Sequence, residues 1–162
     1  MLILKKEMNQ ENDKSNVFLF IIIFIPLILV TIPTLFIDMK NYGKDISFRP
    51  PPIVFSIVWP ILLILLGISW YLFIINHTKN SYFFIIQTLF IILILLLASW
   101  TIMYKYSKIG GLINIILSFC IVLYLIINLF LNKSVTDVTS VTSSVLIIPL
   151  AGWLIFAGIL NT

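Results

Sequence analysis

Residues 82–104 read YFFIIQTLFIILILLLASWTIMY, a run without one charged side chain. As a helix, this run is long enough to cross the ~30 Å hydrocarbon core of a bilayer. Similar runs occur on both sides of it, and the sequence predicts transmembrane helices at about residues 17–37, 51–75, 82–104, 112–131 and 141–160. A membrane β-barrel would show alternating polarity over segments of about ten residues, a pattern that the sequence lacks. We therefore expect an all-α membrane protein, a bundle of five transmembrane helices.

The composition favours the same class. Of the 162 residues, 61% are apolar and 10% are charged, whereas a soluble domain carries roughly 25% charged residues. Residues 1–16 form a polar tail, and residues 17–161 are predicted to be a single five-helix domain. The first apolar run exceeds the roughly 7–15 residues of a signal-peptide core, so we expect a retained helix. The basic residues are scattered despite a net charge of +4, which argues against nucleic acid and leaves the lipid bilayer as partner.

Charge does not orient the predicted bundle. Five basic residues lie on the side of the N-terminus (Lys5, Lys6, Lys14, Lys79 and Lys133) and five on the other side (Lys40, Lys44, Arg49, Lys105 and Lys108). The positive-inside rule needs an excess of Lys and Arg on one side. The sequence thus predicts a multi-pass protein without indicating which end faces the cytoplasm.

Polar side chains within the runs indicate little chemistry. No charge lies between the ends of any run, which argues against a proton relay or an ion-coupled transporter. Serine and threonine there usually donate to a carbonyl one turn back, whereas Gln87 either bonds to another helix or contacts a ligand. His77 and Cys120 stand alone, so we predict no metal site and no disulfide within the chain. No catalytic set of side chains is present, and an enzyme is not indicated.

Aromatic residues gather near the ends of several runs. Trp70, Tyr71, Trp100 and Tyr104 are examples. Because Trp and Tyr are enriched where helices meet the membrane surface, we expect these side chains to form interfacial belts.

The sharpest local feature is residues 47–59, which read SFRPPPIVFSIVW. Prolines suit the first turn of a helix, because the backbone N–H groups there have no intrahelical acceptor. Phe55 and Trp59 follow at i and i+4, on one face of the second helix. One interpretation is aromatic packing at the membrane interface. The other is a rigid, aromatic-lined mouth that suits a flat apolar ligand.

This segment resembles the start of the second helix in the translocator protein / tryptophan-rich sensory protein (TspO / peripheral benzodiazepine receptor) family, approximately W-x-P-P-x-W-x-F-x-x-V-W. Residues 48–59 keep that spacing without a gap. Gly67, Ser69 and Tyr71 match the family's Gly-x-small-x-Tyr pattern, and Gln87 matches the glutamine of its third helix.

The end of the chain shows the strongest resemblance. Residues 149–161 read PLAGWLIFAGILN, which looks like the family's P-Y-x-x-W-x-x-F-A-x-x-L-N. The two motifs stand in the same order and at the right separation. The resemblance covers about residues 47–161.

The resemblance implies a ligand cavity beneath the loop that joins the first two helices. It implies protoporphyrin IX, haem or a related tetrapyrrole as ligand, or a sterol such as cholesterol, with no cofactor required. It also implies a homodimer in a mitochondrial or bacterial-type membrane. Arg49, just outside the prolines, either meets a ligand carboxylate or is a snorkelling or solvated loop arginine. The residues expected to bind the ligand are Phe48, Arg49, Pro50, Pro51, Phe55, Trp59, Gln87, Pro149, Trp153 and Phe156.

The chain departs from the family pattern at several positions. The two tryptophans around the proline pair are Phe48 and Ile53, and Leu150 replaces the tyrosine beside the last proline. Asn114 is the polar residue nearest to the position of the family's fourth-helix aspartate. We therefore expect a site with fewer tryptophan and hydrogen-bonding contacts than the family's.

Three functions follow from these features. The first is a non-enzymatic binding protein for a tetrapyrrole or sterol-like ligand, active in transport or stress signalling. The second is oxidative porphyrin breakdown at the same cavity, which the missing tryptophans disfavour. The third is a structural membrane subunit without a ligand, in which Ala151, Gly152, Ala157 and Gly158 let another helix approach closely.

Overall fold

The computed structural model describes residues 21–37, 49–77, 82–131 and 138–161, with side chains for all of these except residues 76, 77 and 138. Every regular element in these ranges is helical. A 3₁₀ turn leads into the first of five α-helices, and the elements are Ile22–Phe24 (the turn), α1 Ile25–Phe36, α2 Pro52–His77, α3 Phe83–Tyr106, α4 Lys108–Leu131 and α5 Val138–Leu160. The predicted all-α bundle of five helices is confirmed.

Helices α2 to α5 are each long and apolar enough to cross a membrane, and the described part of the first apolar run is Ile22–Phe36. Large apolar side chains such as Ile57, Ile116 and Ile155 are about half exposed on the outside of the bundle. Soluble monomers seldom expose continuous apolar surfaces of this kind, whereas lipid-facing helices require them. The interior is filled by Leu63, Phe90 and other fully buried side chains.

Proline begins two of the helices, as the sequence predicts for α2. Pro52 is the first residue of α2, and the carbonyl of Pro51 just before it accepts the N–H of Val54 at 2.9 Å. Pro26 lies in the first turn of α1. At these positions the missing proline N–H breaks no intrahelical hydrogen bond.

The connection between α3 and α4 differs from the prediction. The sequence indicated a loop over residues 105–111, but only Ser107 separates the two helices. The Ser107 hydroxyl accepts the N–H of Gly110 at 3.1 Å, so it caps the first turn of α4. Gly111 packs against Tyr104, since a Cβ added at Gly111 would lie 3.0 Å from the Tyr104 ring. The glycines allow a close helix contact here rather than a loop.

Smaller differences occur at other helix ends. α5 begins at Val138, three residues before the predicted start at 141, and α2 continues two residues past 75, to His77. The predicted polar tail and the loop between α1 and α2 (residues 38–48) lie outside the described residues.

The five helices form a ring in the order α1, α2, α5, α4 and α3, with α3 back against α1. Neighbouring helices in the ring run antiparallel, except α3 and α1, which run parallel. For example, Gly158 near the end of α5 faces Ile115 in the first half of α4. As a result, the starts of α2 and α4 lie at the same end of the bundle as the C-terminal ends of α1, α3 and α5. We call this end the proline end, because Pro50 and Pro51 precede α2 there and Pro52 begins it.

Serine and threonine side chains mostly behave as expected. Thr31, Thr88 and Ser118 each donate to the carbonyl four residues earlier in their own helix, at 2.6–2.8 Å. Ser69 of α2 and Ser143 of α5 differ, because each hydroxyl donates to the other's carbonyl at 2.8 Å. This reciprocal pair fastens α2 to α5.

Candidate functional site

Aromatic side chains from three helices meet at the proline end. α2, α3 and α5 each supply two of them, spaced three or four residues apart. We call this group the aromatic cluster, and its members are Phe55 and Trp59, Trp100 and Tyr104, and Trp153 and Phe156.

Trp59 lies at the centre of the aromatic cluster. Its ring centroid is 6.3 Å from that of Trp100 and 6.4 Å from that of Trp153, the second pair being edge-to-face at 86°. Phe55 meets Trp153 edge-to-face at 5.6 Å. Tyr104 stacks on Trp100 at 5.5 Å. Geometries of this kind stabilise aromatic pairs beyond the effect of burial alone.

The spacing of the residues explains why the cluster forms. Phe55 and Trp59 lie at i and i+4, and so do Trp100 and Tyr104, so each pair projects from one face of its helix. Because α2 begins at the proline end while α3 ends there, the two faces meet across the interior. Trp100 and Tyr104 were predicted to lie in an interfacial belt, and the structure instead packs them into the bundle. Their shared spacing with Phe55 and Trp59 was the sequence signal for this placement.

Two indole N–H groups in the cluster have no hydrogen-bond partner among the described residues. Nε1 of Trp100 and Nε1 of Trp153 are both buried, and no acceptor in that part of the chain lies within reach of either. Leaving a buried donor unpaired costs about 1–3 kcal/mol, so native structures contain few of them. Trp70 provides a contrast within the same chain, because its Nε1 donates to Oε1 of Gln87 at 2.8 Å.

Arg49 lies at the rim of the cluster. Its side chain is half-buried, and the guanidinium carbon is 5.8 Å from the centre of the Phe55 ring. This distance is that of a cation–π contact. The lysine and arginine side chains within the described residues are Arg49, Lys105 and Lys108, all near the proline end, and no carboxylate side chain lies within those ranges. The proline end is therefore electropositive over the described part of the chain.

A family model for TspO/MBR matches residues 17–162. The chain belongs to the TspO/MBR family. Membership together with the four long apolar helices makes the protein a multi-pass integral membrane protein. No curated protein and no solved structure matches the chain.

The TspO/MBR resemblance assigned ten residues to ligand binding, and the structure brings half of them together. Arg49, Phe55, Trp59, Trp153 and Phe156 form or border the aromatic cluster. Pro50 and Pro51 precede α2 at the same end, half-buried and exposed respectively, and Pro149 lies exposed one turn before Trp153. Phe48 is outside the described residues.

Gln87 lies apart from the other residues assigned by the TspO/MBR resemblance. It precedes Trp100 by 13 residues in α3, which corresponds to about 20 Å along the helix. Its hydrogen bond to Trp70 joins α3 to α2, the interhelical alternative that the sequence left open. The structure therefore does not bring Gln87 to the aromatic cluster.

Asn114 of this TspO/MBR chain is buried near the cluster. Its Nδ2 donates to Oγ of Ser99 at 2.9 Å and contacts Sδ of Met103 at 3.2 Å, while its Oδ1 has no partner. Ser99 precedes Trp100 in the chain, so Asn114 helps to fix the turn of α3 that carries the tryptophan. Within the described residues, no three His, Cys, Asp or Glu side chains converge in a way that could hold a metal ion.

Proposed function

We propose that this TspO/MBR-family protein is a membrane binding protein for a porphyrin or other tetrapyrrole, or for a sterol-like ligand, with a role in transport or stress signalling. The observation that carries the proposal is the aromatic cluster, in which six side chains from three helices meet around two unpaired indole N–H groups. Ligand sites are mostly apolar and contain few polar groups that fix the ligand's orientation. The cluster has this composition.

The chemistry of the cluster favours a flat ligand. Aromatic rings stabilise one another by roughly 0.5–1.5 kcal/mol per pair beyond burial, and an extended ring system contacts several of them at once. Trp59, Trp100 and Trp153 are half-buried, so part of each side chain is accessible to an apolar ligand. Arg49 at the rim supplies a cation for a ligand carboxylate.

The first experiment is a titration of the purified protein in detergent with protoporphyrin IX. Three of the four tryptophans lie in the cluster, so we expect saturable quenching of tryptophan fluorescence together with a shift of the porphyrin absorbance band. Trp153→Leu is expected to weaken the affinity measured from the absorbance band, because it removes a ring and a donor. Absence of saturable binding at micromolar porphyrin contradicts the proposal.

Trp70→Phe is the matched control for this titration. Trp70 lies eleven residues after Trp59 in α2, about 16 Å along the helix. We expect the variant to lose part of the fluorescence signal while its porphyrin affinity stays the same. Competition by cholesterol would indicate that one site accepts both ligand classes, whereas no competition would assign the cluster to the tetrapyrrole.

The same samples test an enzymatic role. Illuminated porphyrin that disappears with turnover and yields a new absorbance band would show oxidative breakdown. Because Phe48 and Ile53 replace the family's tryptophans beside the prolines, we expect binding without product.

The structural-subunit alternative is weakened by the positions of its small residues. Ala151 and Ala157 are buried within the bundle, and Gly158 packs against Ile115 of α4. Gly152 has open space around it. A homodimer is therefore proposed from family resemblance rather than from a stripe of small residues, and chemical cross-linking in detergent tests it.

A further inference from the structure

We propose that Trp100 and Trp153 are specificity-determining residues, whose indole N–H groups bind acceptor oxygens of the ligand. The site would then select flat ligands that carry carbonyl or carboxylate groups over ring systems that carry none. This inference rests on the proposed binding function. It adds a residue, Trp100, that the sequence pattern did not assign to the site.

The unpaired donors are the nitrogens of two indole rings. Both nitrogens are buried, and no acceptor among the described residues lies within hydrogen-bond distance of either. An indole N–H has no alternative role, because it donates and cannot accept. Two such groups beside the same central ring, that of Trp59, mark a place where an acceptor is missing.

Elsewhere in the described part of the chain, the fold provides an acceptor for a buried indole N–H. Trp70 is more deeply buried than either of the two residues, and Gln87 accepts its N–H at 2.8 Å. Two acceptors, Oδ1 of Asn114 in α4 and Oδ1 of Asn161 just after α5, are themselves buried and unpaired, so neither lies within bonding distance of the two indoles. Within the described ranges no acceptor is therefore available to the donors of the cluster, which leaves them for an acceptor oxygen of the ligand.

Trp59 contacts the rings of both donor residues, Trp100 and Trp153. All three side chains are half-buried. Since the two nitrogens are covered in this conformation, a ligand that bonds to them must move some of the side chains around them and meets the Trp59 ring next to both. Trp59 thus contributes to the binding of every flat ligand, whereas Trp100 and Trp153 distinguish ligands by their oxygen atoms.

Arg49 has a different role from the two donors. Its guanidinium lies over Phe55 at the rim, where it attracts a negatively charged group of the ligand. A neutral ester of such a ligand keeps the carbonyl acceptors but has no charge, so its affinity separates the contribution of Arg49 from that of the two indoles. Arg49 favours ligands that carry a negative charge, while the indoles favour ligands that carry hydrogen-bond acceptors.

Three porphyrins test the inference with the purified protein in detergent. Protoporphyrin IX carries two carboxylates, its dimethyl ester carries uncharged carbonyl groups, and octaethylporphyrin carries no oxygen. The dissociation constant of each is measured from the porphyrin absorbance band. The variants are Trp100→Phe, Trp153→Phe, Trp59→Phe and Arg49→Gln, with Trp70→Phe as the remote control.

We expect Trp100→Phe and Trp153→Phe each to weaken binding of the diacid and the diester by about threefold to tenfold, the effect of one hydrogen bond. Binding of octaethylporphyrin should change less than about twofold, because phenylalanine keeps the ring and loses only the donor. Trp59→Phe should affect all three porphyrins alike. Arg49→Gln should weaken the diacid alone.

Two other outcomes overturn the inference in different ways. If all three porphyrins bind saturably and Trp100→Phe and Trp153→Phe affect them equally, the donors do not select the ligand, although the binding function stands. If none of the porphyrins binds saturably to the unaltered chain, both the inference and the proposed tetrapyrrole-binding function are wrong. Equal thermal unfolding midpoints of the variants show that a loss of affinity does not reflect a loss of folded protein.

Discussion

Gly67 is a single residue on which the position of the first helix depends. A Cβ built at Gly67 would overlap the carbonyl oxygen of Ile23 and lie 2.9 Å from its Cα. Both are backbone atoms, so a side-chain rotation cannot relieve the clash. We expect Gly67→Ala to destabilise the protein by about 1–3 kcal/mol, the usual cost of forcing extra volume into a packed interior. Unfolding of the detergent-solubilised protein by added sodium dodecyl sulfate measures this cost.

Gly152→Ala is the matched control for Gly67→Ala. Gly152 also lies inside a helix, but no atom lies within 4 Å of a Cβ added there. Alanine is the better helix former by up to about 1 kcal/mol, so the control should be neutral or slightly stabilising. Equal effects of the two substitutions would show that the close contact with Ile23 does not exist in the folded protein.

Among the helical elements, α2 and α5 are joined by the Ser69–Ser143 pair. Each hydroxyl donates to the other's backbone carbonyl, and both side chains are fully buried. Hydrogen bonds between membrane helices contribute about 0.6 kcal/mol on average. We expect Ser69→Ala and Ser143→Ala each to lower the free energy of unfolding by about 0.5–1.5 kcal/mol, and the double variant to cost less than the sum.

A double-mutant cycle of unfolding free energies measures this coupling. Ser56→Ala is the control, because the exposed Ser56 hydroxyl bonds only within its own helix, to the carbonyl of Pro52 at 3.2 Å. Additive effects of the Ser69 and Ser143 substitutions would mean that the two hydroxyls do not interact across the helices.

The elements also show which parts of the fold the sequence can predict. A helix surrounded by lipid and by other helices is apolar on all sides, so uninterrupted apolar runs located α2 to α5. The same rule wrongly predicted a loop at the α3–α4 connection, because lysines and glycines interrupt the apolar run there. Ser107 caps Gly110 there, and Gly111 packs on Tyr104. Capping and close packing depend on contacts in the folded structure, and the hydropathy of the sequence does not reveal those contacts.

The candidate site was predictable to a similar degree. Helical spacing placed Phe55 and Trp59 on one face, and the family motif added Trp153. Trp100 was missed, because an aromatic residue near the end of an apolar run looks the same whether it faces the membrane surface or the interior. Only the order of helices around the ring places α2 opposite α3 and thereby brings Trp59 to Trp100.

For the whole molecule, the two ends of the bundle differ in how their buried indole N–H groups are satisfied. At the end opposite the prolines, the contact of α2 with α3 includes the Trp70–Gln87 hydrogen bond and the Phe73–Phe83 stack at 5.5 Å. At the proline end, the contact between Trp59 and Trp100 leaves an indole N–H without a partner. We infer that the first end holds the bundle together while the second receives the ligand.

The substitution Gln87→Leu tests whether one end of the bundle stabilises the fold while the other binds the ligand. The substitution keeps the approximate volume and leaves the buried N–H of Trp70 unpaired, which costs about 1–3 kcal/mol. We therefore expect a lower free energy of unfolding with a protoporphyrin IX affinity that changes less than about twofold, since one neutral hydrogen bond is worth more than that. The neighbouring Thr88→Val is the control and should change neither quantity, because the exposed Thr88 bonds only to the carbonyl of Phe84. Weaker porphyrin binding by Gln87→Leu at unchanged stability would instead place Gln87 at the ligand, as the family pattern suggested, and would show that the ligand extends through the bundle to the opposite end.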